Sequence, residues 1–343
     1  MKTSSVFIFL LFIYLNTFPQ QTVNEFPVLF YNVENLFDLD DNPLTNDDEF
    51  TPEGERHWTY KRLNKKLNNL SKVILASSEW NTPAVVALCE VENRKVLELL
   101  INKTALKSIP YKIIHKESPD HRGIDVAFIY NEEQFYPLTY DHIPIKNRSD
   151  STLKTREILH VSGIFNGTAD TAHFFVNHWP SRYSGLMETR PLRKLAAQTL
   201  RSKIDELLQN NRLPKIVIIG DFNDQPNDES IRGELKAMRS DHKIKPDNLY
   251  NLSANWAESG MGTLKYQSQW YVFDQIIVSG ALLQKNTLGL FTTPNQAEIC
   301  DLPFLFENDE RHGGMKLYRT YNGYQYNGGF SDHLPVILKL GLR

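Results

Sequence analysis

Short apolar runs that stop at a polar residue recur along this chain, and they constrain its fold more than any other feature. VIIG (217–220) leads straight into Asp221, Phe222 and Asn223. VLFY (28–31) leads to Asn32 and Glu34, and VVALC (85–89) to Glu90. FFVN (174–177) ends in Asn177 and is followed by His178. Asp274 is embedded in YVFDQIIVS (271–279), and Asp332 and His333 stand directly before LPVILKL (334–340). Runs of this length and composition read as buried strands. One carboxylate at a strand end is ordinary surface punctuation. The whole set is harder to explain that way, because burying each strand fixes its end near one rim of a sheet.

Further strands are predicted at 111–115, 124–130, 157–165 and 172–178. Between Arg56 and Ser78 the pattern turns helical, with Leu63, Leu67, Leu70 and Ile74 on one stripe. Asn93 is placed to cap a short helix through Leu100. Thr189 and Pro191 open another helix, with Leu192, Leu195, Leu200 and Ile204 on its stripe. No internal repeat, linker or low-complexity block interrupts the pattern. Strands outnumber helices and connections are short, which predicts one α/β (α+β) domain of two packed β-sheets with helices outside. The acidic stretch 38–55 reads as a solvated loop, and the ligand spacing of an EF-hand is absent from it.

The formal net charge of −3 gives no support to a protein that coats nucleic acid by bulk attraction. It leaves room for an enzyme that meets phosphate through a cation. Two cysteines exclude a disulfide-dense scaffold, and Cys89, inside an apolar run, reads as a small buried hydrophobe. At the N-terminus, Lys2 precedes an unbroken apolar stretch from Val6 to Leu15. That is the length of a signal-peptide core and is shorter than a membrane span. No cysteine follows it. The expectation is an export leader over 1–20, a domain over 24–343, no stable membrane span, and a periplasmic or secreted product.

The rim itself suggests chemistry. Carboxylates and amides are hard oxygen ligands, suited to Mg²⁺, Mn²⁺ or Ca²⁺; with so few cysteines and two histidines at strand ends, zinc fits less well. A hard cation held by one or two carboxylates keeps positions open for phosphate oxygens. A nearby histidine and aspartate can handle the protons.

Taken together, YNVENL, ALCEVEN, RGIDVAFIY, VNHWPSR, IIGDFNDQP, FDQIIVS and SDHLPV resemble the endonuclease/exonuclease/phosphatase superfamily over nearly the whole chain after the leader. The resemblance implies a four-layered DNase I-like sandwich. It implies that Glu90 is the principal metal carboxylate, with Asn32 beside the metal and Glu34 and Asp332 as further metal contacts. It implies that Asp221 orients or deprotonates the attacking water and that Asn223 bonds water and phosphate. His333 would hold phosphate or take a proton, with Asp274 paired to it, and His178 would serve as acid or phosphate donor. The division of acid and base among Asp221, His178 and His333 stays open. Asn177, Arg182 and Arg122 are additional phosphate-binding candidates. Tyr318, Tyr321, Tyr324 and Tyr326 read either as loop packing or as stacking platforms.

The expected function is an exported Mg²⁺-dependent phosphodiesterase, foremost an endonuclease on DNA or RNA, acting as a monomer. The alternative is the same chemistry on a lipid or small phosphoester, as in sphingomyelinases and inositol-type phosphatases. A PSWCDR-type motif of the inositol enzymes is absent; SQWYVFDQ (268–275) stands in that part of the chain. A non-enzymatic binding module is the third reading, and retention of every polar position argues against it.

Overall fold

A computed structural model describes residues 25–79, 81–147, 150, 152–210, 213–241, 243–284 and 288–343. The expected leader over 1–20 lies outside the described residues. Two seven-stranded mixed sheets form the body. In the first, the spatial order is β14 (Leu290–Phe291), β20 (Val336–Leu342), β1 (Glu25–Leu36), β2 (Val85–Val91), β4 (Asp125–Asn131) and β3 (Tyr111–His115), with β15 (Ala297–Ile299) also pairing β20. In the second it is β5 (Phe135–Ile143), β6 (Ile158–Phe165), β7 (Thr171–His178), β8 (Lys215–Asp221), β13 (Asp274–Ser279), β10 (Leu249–Asn251) and β9 (Ala237–Arg239). Three hairpins stand apart: β11–β12 (Leu264–Tyr266, Gln269–Tyr271), β16–β17 (Phe306–Asn308, Met315–Leu317) and β18–β19 (Tyr321–Asn322, Gln325–Tyr326).

The strands are continuously apolar because both faces of each sheet are covered. Val28, Phe30, Ala87 and Phe128 point inward and meet Phe174, Val176, Ile219 and Ile276 of the other sheet. Their neighbours Leu29, Tyr31, Val86 and Leu88 point outward, under α1 (Tyr60–Ser77) and α2 (Arg94–Lys103). Leu63, Leu67, Leu70 and Ile74 of α1 are all buried there; each such side chain contributes about 1.5–3 kcal/mol. On the second sheet, Phe175, Ile216 and Ile218 face α3 (Leu186–Asn210) through Ala196, Leu200 and Ile204. The order is therefore helix, sheet, sheet, helix.

Asn93 caps α2 as expected, accepting from the Val96 amide at 3.1 Å. The first long helix begins at Tyr60 rather than near Arg56. Helix α3 begins at Leu186, before Thr189, with Pro191 inside it. The Leu186 carbonyl in that turn accepts from Arg193 Nη2 at 3.3 Å. Strand β5 carries no clear alternation and contains Pro137, which argues against a strand by sequence. It is an edge strand, and Pro137 sits at a break in its register with β6, where a missing N–H is tolerated. The 38–55 stretch is less solvated than its composition suggests. Asp38 and Asp47 are buried, and Phe50 stacks on Phe37 with ring centroids 4.2 Å apart. Cys89 and Cys300 are both buried and unpaired.

Candidate active site

Strands β1 and β2 run parallel with Asn32 opposite Cys89, so Glu90 follows at the same level. Both strands then bend. Glu34, Asn35 and Glu90 have φ of 51°, 55° and 60°, a conformation that costs a non-glycine residue about 1–3 kcal/mol. The bend is held by the Glu34 amide donating to Asn32 Oδ1 and the Asn35 amide donating to Glu90 Oε2, both at 3.0 Å.

The second sheet brings its own set. Strands β7 and β8 are parallel with His178 opposite Asp221, and β13 is antiparallel with Asp274 opposite the same residue. Gly220 is needed between them: a Cβ there would lie 2.3 Å from the Asn177 carbonyl oxygen. Beyond it, Asn223 turns into the left-handed region at φ 50°, and its amide caps Asp221 Oδ1 at 2.9 Å.

The two sets meet. Asn32 Nδ2 donates to Asp221 Oδ2 at 3.2 Å and reaches Glu90 Oε1 at 3.5 Å. His178 Nε2 lies 3.7 Å from Asp221 Oδ2 and 3.9 Å from Glu90 Oε1. His333 Nε2 lies 3.8 Å from Asp221 Oδ2, and its Nδ1 bonds Asp274 Oδ2 at 2.7 Å. Six predicted residues thus share one buried centre. Burial pushes the Asp221 carboxyl up, against the pull of His333. Burial pulls the His333 imidazole down, but the Asp274 and Asp221 carboxylates overcome it and hold it well above its ordinary value. His178 goes well below its own, through burial and then the charges of Arg156, Arg122 and His333.

The donor chemistry fits a hard cation. Glu90 and Asp221 turn carboxylate oxygens to one point, where Asn32 Nδ2 meets both, and among the described residues no lysine or arginine pairs with Glu90. Asp274 Oδ1 is buried without a partner among the described residues. Asp221, Asp274 and His333 each place a ligand atom within 4.8 Å of the others. Glu34 and Asp332 are brought to the same edge but are held differently. Arg319 Nη2 pairs with Glu34 Oε1 at 2.8 Å and Asp332 Oδ2 at 2.9 Å, and the Thr320 amide donates to Glu34 Oε2 at 2.7 Å. A metal drawing on either carboxylate must compete with that guanidinium.

The additional phosphate candidates separate. Asn177 Nδ2 donates to the Phe175 and Ile219 carbonyls at 3.0 and 3.3 Å, and its Oδ1 accepts from Trp179 Nε1. Its amide ties β7 to β8. Arg182 bonds the Asn223 carbonyl, Asp224 and Asp228 at 2.6, 2.8 and 2.6 Å and lies over the Phe273 ring. It braces the loop after β8. Only Arg122 stays open, 3.7 Å from Asp120 with about a third of its side chain accessible (36%). Three cations escaped the sequence reading. Arg319 was hidden among the tyrosines of LYRTYNGYQY. Arg156, buried, bonds Asp120 and the Trp179 carbonyl, each at 2.8 Å. Lys66, on the buried stripe of α1, has its pKa pushed down to about 8 by burial and donates to Thr320 Oγ1 and the Phe330 carbonyl at 2.5 Å. Of the four tyrosines, Tyr321 is buried, Tyr318 and Tyr326 pack on the outer core, and Tyr324 is exposed.

Comparison with known proteins bears on this geometry. A family model described as "Endonuclease/Exonuclease/phosphatase family" matches residues 27–341. No curated protein matches. Among solved structures, an endonuclease/exonuclease/phosphatase family protein of Bacteroides thetaiotaomicron aligns with a TM-score of 0.56 at 14% identity, covering 94% of this chain and 99% of that one. Truncated Caenorhabditis elegans TDP2 aligns with a TM-score of 0.54 at 16% identity, covering 93% and 98%. D. rerio TDP2, complexed with single strand DNA product, aligns with a TM-score of 0.53 at 12% identity, covering 92% and 98%. At these identities the likeness is one of fold.

Proposed function

This chain belongs to the endonuclease/exonuclease/phosphatase family, and from that premise we propose that it is an exported, divalent-metal-dependent phosphodiesterase that cleaves nucleic acid. The observation that carries the reading is the convergence of Glu90, Asn32 and Asp221 with two histidines that lie within 4 Å of Asp221. Glu90, with Asn32 beside it, would hold Mg²⁺, or Mn²⁺ or Ca²⁺, which would supply polarisation of the phosphoryl group and stabilisation of charge on the leaving oxygen. Asp221 orients the attacking water and accepts its proton, and the burial that raises its pKa makes it a better base. Asn223 holds the loop that presents Asp221, through its amide to Asp221 Oδ1 and its Nδ2 to the Trp179 carbonyl. His333, kept protonated by Asp274, donates from Nε2 to a phosphoryl oxygen. His178, kept neutral, donates a hydrogen bond without charge.

Nucleic acid is favoured as substrate because one neighbour of this fold is a TDP2 in complex with single strand DNA product. Export rests on the leader-like residues Lys2 and Val6–Leu15. The test is activity on plasmid DNA, RNA, sphingomyelin and bis-p-nitrophenyl phosphate, with Mg²⁺ and with EDTA. Metal-dependent nicking of plasmid is expected, lost in Glu90→Ala and His333→Ala with the fold intact by circular dichroism. Cleavage of sphingomyelin alone would replace the nuclease by the lipid reading. Undiminished rates in either variant would remove the site.

A further inference from the structure

Two clefts near the strand ends carry opposite charge. One, of about 140 Å³, lies beyond the bends of β1 and β2 and is lined by Asp38, Asp40, Asp41, Glu92 and Glu117 among others. The other, of about 780 Å³, opens between the tips of the three hairpins. The larger one shares Arg319 and Asp332 with the edge of the centre, and the hairpin that forms its wall is bridged to the chain at Leu264–His333. It is therefore continuous with the reacting groups.

The lining of the larger cleft holds Lys265, Arg311, Lys316 and Arg319 against two carboxylates, Asp309 and Asp332, in a chain whose net charge is −3. Asp309 is already satisfied: Lys265 Nζ bonds it at 2.8 Å, and the Arg311 and His312 amides donate to its other oxygen at 3.2 and 3.0 Å. That pairing closes the β16–β17 turn and leaves the Arg311 guanidinium, among the described residues, without an ion pair. Lys316 leans on Glu307 at 3.3 Å, at the cleft wall. Tyr266, at the tip of β11, is 64% exposed at the same opening. A free forked cation beside an accessible aromatic ring is the combination that single-stranded nucleic acid uses, phosphate on the cation and base on the ring.

We propose that the hairpin cleft is a second phosphate subsite, taking the nucleotide next to the scissile phosphate, with Arg311 on its phosphate and Tyr266 under its base. This rests on the nuclease reading above. It adds a direction: the strand leaves the centre toward the hairpins rather than toward the acidic cleft beyond the bends of β1 and β2. A substrate with a single phosphoester leaves the subsite empty.

The experiment compares wild type, Arg311→Glu and Tyr266→Ala on a single-stranded oligonucleotide and on bis-p-nitrophenyl phosphate, both with Mg²⁺, over a salt series. For Arg311→Glu, KM on the oligonucleotide should rise about tenfold and the salt slope should fall by about one, as loss of one phosphate contact predicts. Tyr266→Ala should raise KM by a similar factor, with its salt slope unchanged. Both variants should keep the wild-type kcat/KM on bis-p-nitrophenyl phosphate. Unchanged KM on the oligonucleotide, or equal losses on both substrates, would overturn the subsite. A wild-type enzyme that cleaves bis-p-nitrophenyl phosphate and no nucleic acid would overturn the nuclease reading first, before any variant is made.

Discussion

His178 and His333 stand beside the same carboxylate, 3.7 and 3.8 Å from Asp221 Oδ2, yet their surroundings drive them to opposite states. Both are buried, so burial alone does not separate them. The difference lies on the far side of each ring. His333 Nδ1 faces Asp274 at 2.7 Å, whereas His178 Nδ1 is buried with no partner among the described residues, and burial together with the charges of Arg156, Arg122 and His333 holds its pKa down. A partner carboxylate makes one imidazole a cation, and its absence leaves the other neutral. The lesson concerns sequence as much as structure: a histidine's role is set by what meets its second nitrogen, which comes here from a strand 59 residues away.

The largest expected effect comes from erasing that difference. In Asp274→Asn, His333 loses the strongest of the carboxylates that raise its pKa. Turnover should fall by about three to four orders of magnitude, the scale seen when a carboxylate orienting a catalytic imidazole is neutralised. The alkaline limb of the pH–rate profile should also move to lower pH, because the active cation now deprotonates earlier. A profile with its alkaline limb in place would show that Asp274 does not set the state of His333.

Next in size is His178→Asn. Loss of a neutral donor at the centre should lower kcat by about two to three orders of magnitude. Stability supplies a second readout, with the sign fixed by the direction of each shift. The His178 pKa is lowered on folding, so below its ordinary value near 6.5 the unfolded chain takes up a proton that the folded one refuses. Stability therefore falls as pH drops through that value, and the asparagine variant should lose less Tm on acidification than wild type. The raised pKa of His333 acts oppositely: its contribution is full below 6.5 and is lost as pH rises through the folded value. Equal Tm losses on acidification in wild type and His178→Asn would contradict the neutral assignment. The smallest effect belongs to Arg122→Gln. Its partly open guanidinium is screened by solvent, so the His178 pKa should rise only slightly by NMR titration, with kcat within about twofold.

Much of the sandwich was visible in the sequence because its information is local. YKIIH and KIVIIGD are strands over the predicted residues, and Asn93 caps its helix. The polar ends were legible for the same reason: Asn32, Glu90, His178, Asp221 and His333 each follow or precede a run that can only be buried. What escaped was non-local. Arg319 matters through Glu34, which lies 285 residues earlier. Asn177 looked like a ligand because its neighbour is one, but alternation along β7 turns successive side chains to opposite faces. Strand β5, at the edge, buries too little to carry a pattern. Asp47, composed like solvent-facing chain, is enclosed because the Asn42 amide and the Thr45 hydroxyl donate to it at 3.1 and 3.0 Å.

Half of the reacting groups ride on one sheet and half on the other. Asn32 and Glu90 come from strands β1 and β2 and His333 from the chain just before β20; His178, Asp221 and Asp274 come from strands β7, β8 and β13. The candidate centre therefore sits on a seam, and the greasy filling between the sheets, with the Asn32–Asp221 hydrogen bond across it, keeps its two lips aligned. Turnover becomes a ruler for that filling. A truncation such as Phe128→Ala, in the filling between the two sheets, should register as lost rate.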